Sequence, residues 1–396
     1  VIFNTWTFGV FAVVALGLYW FAIPRRAKPI YLVIAGCAFY AHAVPAYLAL
    51  IAVMGGATFF IARAMQRAER EAERRRLMLA GVLSIVAILV FFKYTKFFAS
   101  IVDDVARRHI VPLPNVVVPL AISFFTFEFV HVLVDVYHRK TDDLDPLDFA
   151  VFTMFFPTLV AGPIKRYQSF APQVRTIEVP AYPELALYLY RVMLGLTKKT
   201  IIADSMNAFT GPIANPGAPY GRADYWVAVL AYAVKIYFDF SGYSDIAIGL
   251  AGMLGLRIPE NFAMPYRSVN ISEFWRTWHM SLSSWIRDYV FIPLGGSRRG
   301  PLPTTVNLFL AMALAGLWHG AAWTFVVWGL WHGAGLAIHR IWGRVVVPRV
   351  AWLRNATRVV RYASVATTFA FVASGWILFA APSLGNAAFV FAHLFT

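Results

Sequence analysis

Nine histidines are spread through this chain of 396 residues, and three of them sit where an imidazole could do chemistry. His319 and His332 each take the fourth place of the same five letters, Gly-Leu-Trp-His-Gly, at 316–320 and 329–333. His279 follows Trp278 in the stretch WRTWHMSLSSW. Imidazole is the side chain most readily poised to move protons near neutral pH. No Gly-x-Ser-x-Gly turn and no Cys–His pairing supplies a nucleophile, and no two of these histidines have the i, i+4 spacing of a helical metal site. The chemistry left is general-base catalysis on a hydroxyl brought by another molecule.

The elements that must hold these residues follow from the local sequence. His319 closes the apolar run 306–318, and two apolar runs meeting there need a tight hairpin at Gly320-Ala321-Ala322. A histidine satisfied by backbone at a helix end would look the same in sequence, so both readings stay open. His332 lies thirteen residues further on, roughly 13–15 Å deeper at 1.5 Å per helical residue, and reads as a packing and hydrogen-bonding residue. His339 and Arg340 continue its face towards a basic end. Residues 272–288 read as one amphipathic helix, with Phe274, Trp278, Leu282 and Trp285 as its apolar stripe and Pro293 with Gly295-Gly296 ending the element. His279 borders that stripe and could equally be an ordinary interfacial residue.

Composition sets the surroundings. The chain is 60% hydrophobic and 14% charged, well below the roughly 25% charged residues of soluble domains. Apolar runs at 5–23, 30–61, 77–98, 116–137, 185–203, 225–240, 306–322, 323–341 and 362–381 predict an all-α polytopic membrane protein. The run 30–61 is long enough to fold back on itself. The net charge of +15 is that of basic loops meeting anionic headgroups, and nucleic acid is not expected as a partner. Cys37 has no second cysteine to pair with. The basic flank Arg25, Arg26 and Lys28 places the N-terminus outside, and the segment 63–76 is expected to be a helix lying in solvent or headgroups.

Two stretches are not simple spans. FTMFFPTLVAGPIKRY (152–167) is short and broken by Pro157, Gly162 and Pro163, and 258–296 is aromatic yet scattered with charge. Each must be buried in protein, line a wet cavity or lie in the interface. Asp239 and Asp245 lie in an apolar stretch and should face a pocket or a partner such as Lys235, and Gly242 is expected to kink that helix. Glu128, His131 and Asp135 share one helix face and suggest a structural polar network.

FFPTLVAGPIKRY, the run from YFDFSGYSDIAIGLAGMLGL through SEFWRTWHMSLSSWIRDYVFIPLGG, and GLWHGAAWTFVVWGLWHG together resemble the bacterial membrane-bound O-acyltransferase family in its alginate O-acetyltransferase-like branch. The resemblance starts near Phe3-Asn4 and runs through GWILFAAP at 375–382. It implies one integral-membrane domain over 1–396, with about ten or eleven spans and re-entrant helices around a tunnel. It implies that His319 matches the family's general base and that His279 matches its second signature residue, which helps bind or orient the acyl group. Substrate contacts are expected from Trp275, Trp278, Arg276, Trp318, Asp239, Ser241, Tyr243 and Asn261, all within the quoted motifs.

No bound cofactor or metal is implied. The donor would be cytoplasmic acetyl-CoA or another acyl thioester or acyl carrier. The acceptor would be a polysaccharide, reached directly or through an extracytoplasmic hydrolase-like partner, in a bacterial inner membrane. The alternatives are D-alanyl transfer to teichoic acid, acylation of a lipid or secondary metabolite, and a transporter or flippase of lipid-linked saccharides. Relatives usually carry Gln at Glu128 and Ser-Tyr at His131-Val132, which puts substrate identity in doubt. Many also continue for further spans beyond the point corresponding to Thr396, so the chain is either a short member or lacks its C-terminal end.

Overall fold

The computed structural model describes residues 5–108, 117–141, 144–350 and 358–395. Among these the chain forms α-helices joined by short 3₁₀ and π turns, with no strand. Phe3-Asn4 and the beginning of the expected span at Val116 lie outside the described residues. Among the described residues, four helices are long and apolar enough to cross a membrane: Ala46–Arg67, Glu71–Ala106 (which includes a π turn), Pro301–His319 and Arg358–Ala380. The protein is an all-α polytopic membrane protein. By backbone contacts it divides into two compact units, Val1–Leu196 with Tyr243–Pro259, and Thr197–Gly242 with Glu260–Thr396.

The first unit holds α1 (Trp6–Gly17), α2 (Lys28–Ala43), α3 (Ala46–Arg67), α4 (Glu71–Leu89), α5 (Thr95–Ala106), α6 (Ile122–Tyr137), α7 (Pro146–Met154), α8 (Tyr167–Arg175) and α9 (Tyr182–Leu196). The run 30–61 folds back at Val44-Pro45, as its length required. The basic segment 63–76 differs from expectation. It is the end of α3 and the start of α4, separated by extended backbone at Ala68 and Arg70, rather than a helix of its own. The broken stretch 152–167, which begins at the end of α7, is buried almost throughout, with Phe152, Phe155 and Phe156 excluded from solvent.

The acid–histidine face of α6 is spent on structure. Glu128 pairs with Lys165 at 2.5 Å, both side chains buried. His131 Nε2 accepts from the backbone N–H of Tyr167 at 3.1 Å, and Asp135 accepts from the Gln168 amide at 2.7 Å. A buried carboxylate or ammonium is tolerated only when it is paired in this way.

The second unit holds α10 (Gly211–Ala214), the first part of α11 (Arg222–Met253), α12 (Ile271–Thr277), α13 (Met280–Ile286), α14 (Pro301–His319), α15 (Trp323–Val345), α16 (Arg358–Ala380) and α17 (Leu384–His393). α11 continues without a break through Gly242, so the expected kink is not a helix interruption. Its acids also find other partners than Lys235. Asp239 pairs with Lys199 at 2.7 Å and Asp245 with Arg191 at 2.9 Å, while the Lys235 ammonium lies over the Tyr232 ring. The core of this unit is aromatic, built around Phe274, Trp278, Trp328 and Trp376.

Candidate active site

The repeated pentapeptide is first a packing device. α14 and α15 form an antiparallel hairpin, and the first glycine of each copy stands where the helices cross. A Cβ on Gly316 would run into the carbonyl oxygen of Phe325, and one on Gly329 into that of Met312. The hairpin turn falls at Gly320–Ala322, with extended backbone at Gly320 and Ala322. His319 is thereby the last residue of α14, half-buried at the turn.

Three aromatic rings surround the His319 imidazole. Their centroids lie 4.9 Å (Trp318), 5.2 Å (Trp328) and 5.1 Å (Phe379) away. Trp318 also packs against His279, at 5.9 Å.

His279 is reached by a route the periodicity did not reveal. The expected single helix over 272–288 is two helices of seven residues, α12 and α13, and the break between them is Trp278-His279, extended at Trp278 and left-handed at His279. Its backbone is left-handed, φ 41°, a conformation that costs a non-glycine residue about 1–3 kcal/mol. Neighbouring bonds hold it there. Asn261 accepts from Ser281 Oγ at 2.6 Å and from the Ser281 N–H at 3.3 Å, while its carbonyl accepts from the Met280 N–H at 2.9 Å. α12 is capped by Asn270, whose side chain accepts from the Glu273 N–H. The break turns the imidazole against Phe240, edge to face at 4.5 Å, and leaves it 1% exposed. Neither ring nitrogen has a hydrogen-bond partner among the described residues. The stripe itself holds: Phe274, Trp278, Leu282 and Trp285 are all buried.

The other expected contacts divide. Trp278 is core, stacked on Phe274 and packed against Trp376 at 4.9 Å. Trp275 is edge-on to His332 at 5.1 Å, and Arg276 is exposed and bonded to Ser272 Oγ. Both line an apolar cavity of about 430 Å³ with Arg287, Leu282, Met312 and Leu336. Ser241 is buried with no partner among the described residues. Asp239 is engaged by Lys199. Tyr243 belongs to the first unit, where it is buried.

His332 is where the structure departs most from the sequence reading. It is fully buried at mid-helix, packed by Phe274, Trp275, Trp328 and Phe371, but neither nitrogen is hydrogen-bonded among the described residues. Packing holds as a description; hydrogen bonding does not. Trp328 and Phe379 were not singled out from sequence. Trp328 could have been, since it lies between the two repeats. Phe379 comes from a helix sixty residues away from His319 in the chain, and nothing local signals it.

The family model for MBOAT, the membrane-bound O-acyltransferase family, matches residues 34–379, which takes in every residue of this site. The chain belongs to the membrane-bound O-acyltransferase family. The acyltransferase is 38% identical to the probable alginate O-acetylase AlgI of Pseudomonas aeruginosa, over 95% of this chain and 71% of the relative. It is 34% identical to the peptidoglycan O-acetyltransferase of Helicobacter pylori, over 98% and 78% respectively. With the teichoic acid D-alanyltransferase of Bacillus subtilis it shares 30% identity over 68% of this chain and 70% of the relative. The protein is therefore an O-acyltransferase enzyme, which answers the transporter alternative.

Proposed function

We propose that this acyltransferase moves an acetyl group from a cytoplasmic thioester to a hydroxyl of an extracytoplasmic polysaccharide, directly or through a partner protein, with His319 as general base. The observation that carries the reading is the seat of His319. It is half-buried at the end of α14, beside a glycine turn and inside a wall of indole and phenyl rings. Such a wall keeps bulk water from the imidazole while leaving one edge open to a substrate hydroxyl. The helix C-terminus is the negative end of the α14 dipole and favours the imidazolium formed when the base takes a proton.

In this scheme His319 removes the acceptor proton as the oxygen attacks the thioester carbonyl. The C–S bond breaks and the thiol leaves with a proton. His279, with its two unengaged nitrogens, orients the acyl group beside Trp318. The acceptor class is supported by relatives named for alginate and peptidoglycan O-acetylation. We further propose a bacterial inner-membrane location with an extracytoplasmic N-terminus, as one integral-membrane domain. A D-alanyl donor is a second reading, favoured by the teichoic acid relative.

His319→Ala in membranes should lower acyl transfer by about 100- to 10,000-fold, the usual contribution of a general base. Transfer at the wild-type rate would end the assignment. Mass spectrometry of glycans from a deletion strain tests the acceptor: loss of O-acetyl supports the polysaccharide reading, and loss of D-alanine supports the second.

A further inference from the structure

The second unit carries a cluster of positive charge that the acyl-transfer reading leaves unused. Arg267, on the 3₁₀ turn Pro265–Arg267, and Arg358 and Arg361, one turn apart at the start of α16, line one cavity of about 340 Å³ with Tyr362 and Val365. No carboxylate lines it, and none of the three guanidinium groups has an ion pair or hydrogen bond among the described residues. Like charges held together repel one another, so this arrangement favours an anion in the cavity. The packing fixes it in place: Tyr266 is edge-on to Phe369 of α16 at 5.1 Å and accepts from the Trp376 indole N–H at 3.1 Å.

The depth of the cavity says what kind of anion. α16 is long and apolar enough to cross a membrane, and its far end brings Phe379 against His319. Arg358 is then roughly 30 Å from that end at 1.5 Å per residue, the thickness of a hydrocarbon core. The arginines therefore stand at headgroup level. Beside them Val359 and Tyr362 are 76% and 73% exposed, an apolar surface suited to acyl chains. Planar guanidinium forks match phosphate oxygens two at a time.

We propose that Arg267, Arg358 and Arg361 form a binding site for the phosphodiester headgroup of an anionic phospholipid, at the membrane surface opposite His319. The site does not depend on which acyl group or acceptor the enzyme uses.

Titration of phosphatidylglycerol into the purified full chain in phosphatidylcholine nanodiscs, read by native mass spectrometry, tests it. R358Q/R361Q should bind phosphatidylglycerol about 25-fold more weakly, near five-fold per arginine, and R267Q about five-fold more weakly. R358K/R361K should keep most of the binding. R344Q/R349Q, which removes the same charge elsewhere, should change it less than about two-fold. Equal loss in R344Q/R349Q would show only a general basic field and overturn the site. Displacement of phosphatidylglycerol by equimolar inorganic phosphate or adenosine 3′,5′-bisphosphate would overturn the lipid and assign a soluble phosphate ester instead. Because the three arginines are exposed, unfolding midpoints in pure phosphatidylcholine discs should match the wild type.

Discussion

His319 and His332 occupy identical pentapeptides and touch the same indole, Trp328, at 5.2 and 4.9 Å. What separates them is surroundings. His319 ends a helix at a turn and is half-buried, whereas His332 is sealed among rings with no hydrogen bond among the described residues. A buried polar group without a partner costs stability, and replacing it by an apolar group of similar shape is nearly neutral or stabilising. His332→Phe should therefore leave the unfolding midpoint in detergent unchanged or raised and keep acyl transfer within a few-fold. His332→Ala should lose about 2–4 kcal/mol through the cavity it opens. A large loss of transfer in a well-folded His332→Phe protein would show that its nitrogens matter.

Among elements, the break between α12 and α13 governs the position of His279. A continuous helix would carry that side chain on a different face; the left-handed backbone at φ 41° turns it towards Phe240 and Trp318. Asn261 holds the start of α13 through Ser281. Asn261→Ala leaves buried donors unpaired, so it should cost about 1–3 kcal/mol and lower transfer although it leaves the two histidines intact. Partial rescue by Asn261→Asp would be expected, since a carboxylate oxygen can accept the same bonds. The α14–α15 hairpin makes a parallel case. Gly316→Ala and Gly329→Ala each force apart backbones in contact, a strain of about 1–3 kcal/mol. Circular dichroism melts would read it; unchanged melting would mean that the crossing can relax.

For the molecule as a whole, stability in the first unit rests partly on a buried ion pair, Glu128–Lys165. Removing one partner strands a charge, and Lys165→Met alone should cost about 3–5 kcal/mol. Glu128→Gln combined with Lys165→Met should recover much of that loss, measured as the unfolding midpoint in micelles. A double variant no more stable than the single would show that the pair does more than cancel charge. The second unit uses aromatic packing instead, with Trp376 packed against both Trp278 and Trp328. Stacked and edge-on rings fix the geometry of the side chains they enclose.

Much of this was legible in the chain itself. Apolar runs of span length dictate an all-α membrane protein because lipid offers no partners for unpaired backbone. Gly320-Ala321-Ala322 dictates the hairpin, and the motifs around His279 and His319 carry the family. Periodicity also gave the buried stripe of Phe274, Trp278, Leu282 and Trp285, since side-chain spacing is a local property. Only the tertiary structure decided the rest. Lys199 rather than Lys235 meets Asp239, and Phe379 closes the ring around His319, because residues distant in sequence meet only when helices pack. The helix break at His279 is likewise set by the bonds of Asn261, a residue outside the helix, against local propensity. The two copies of Gly-Leu-Trp-His-Gly share every letter, and only the fold distinguishes the histidine at the turn from the one in the core.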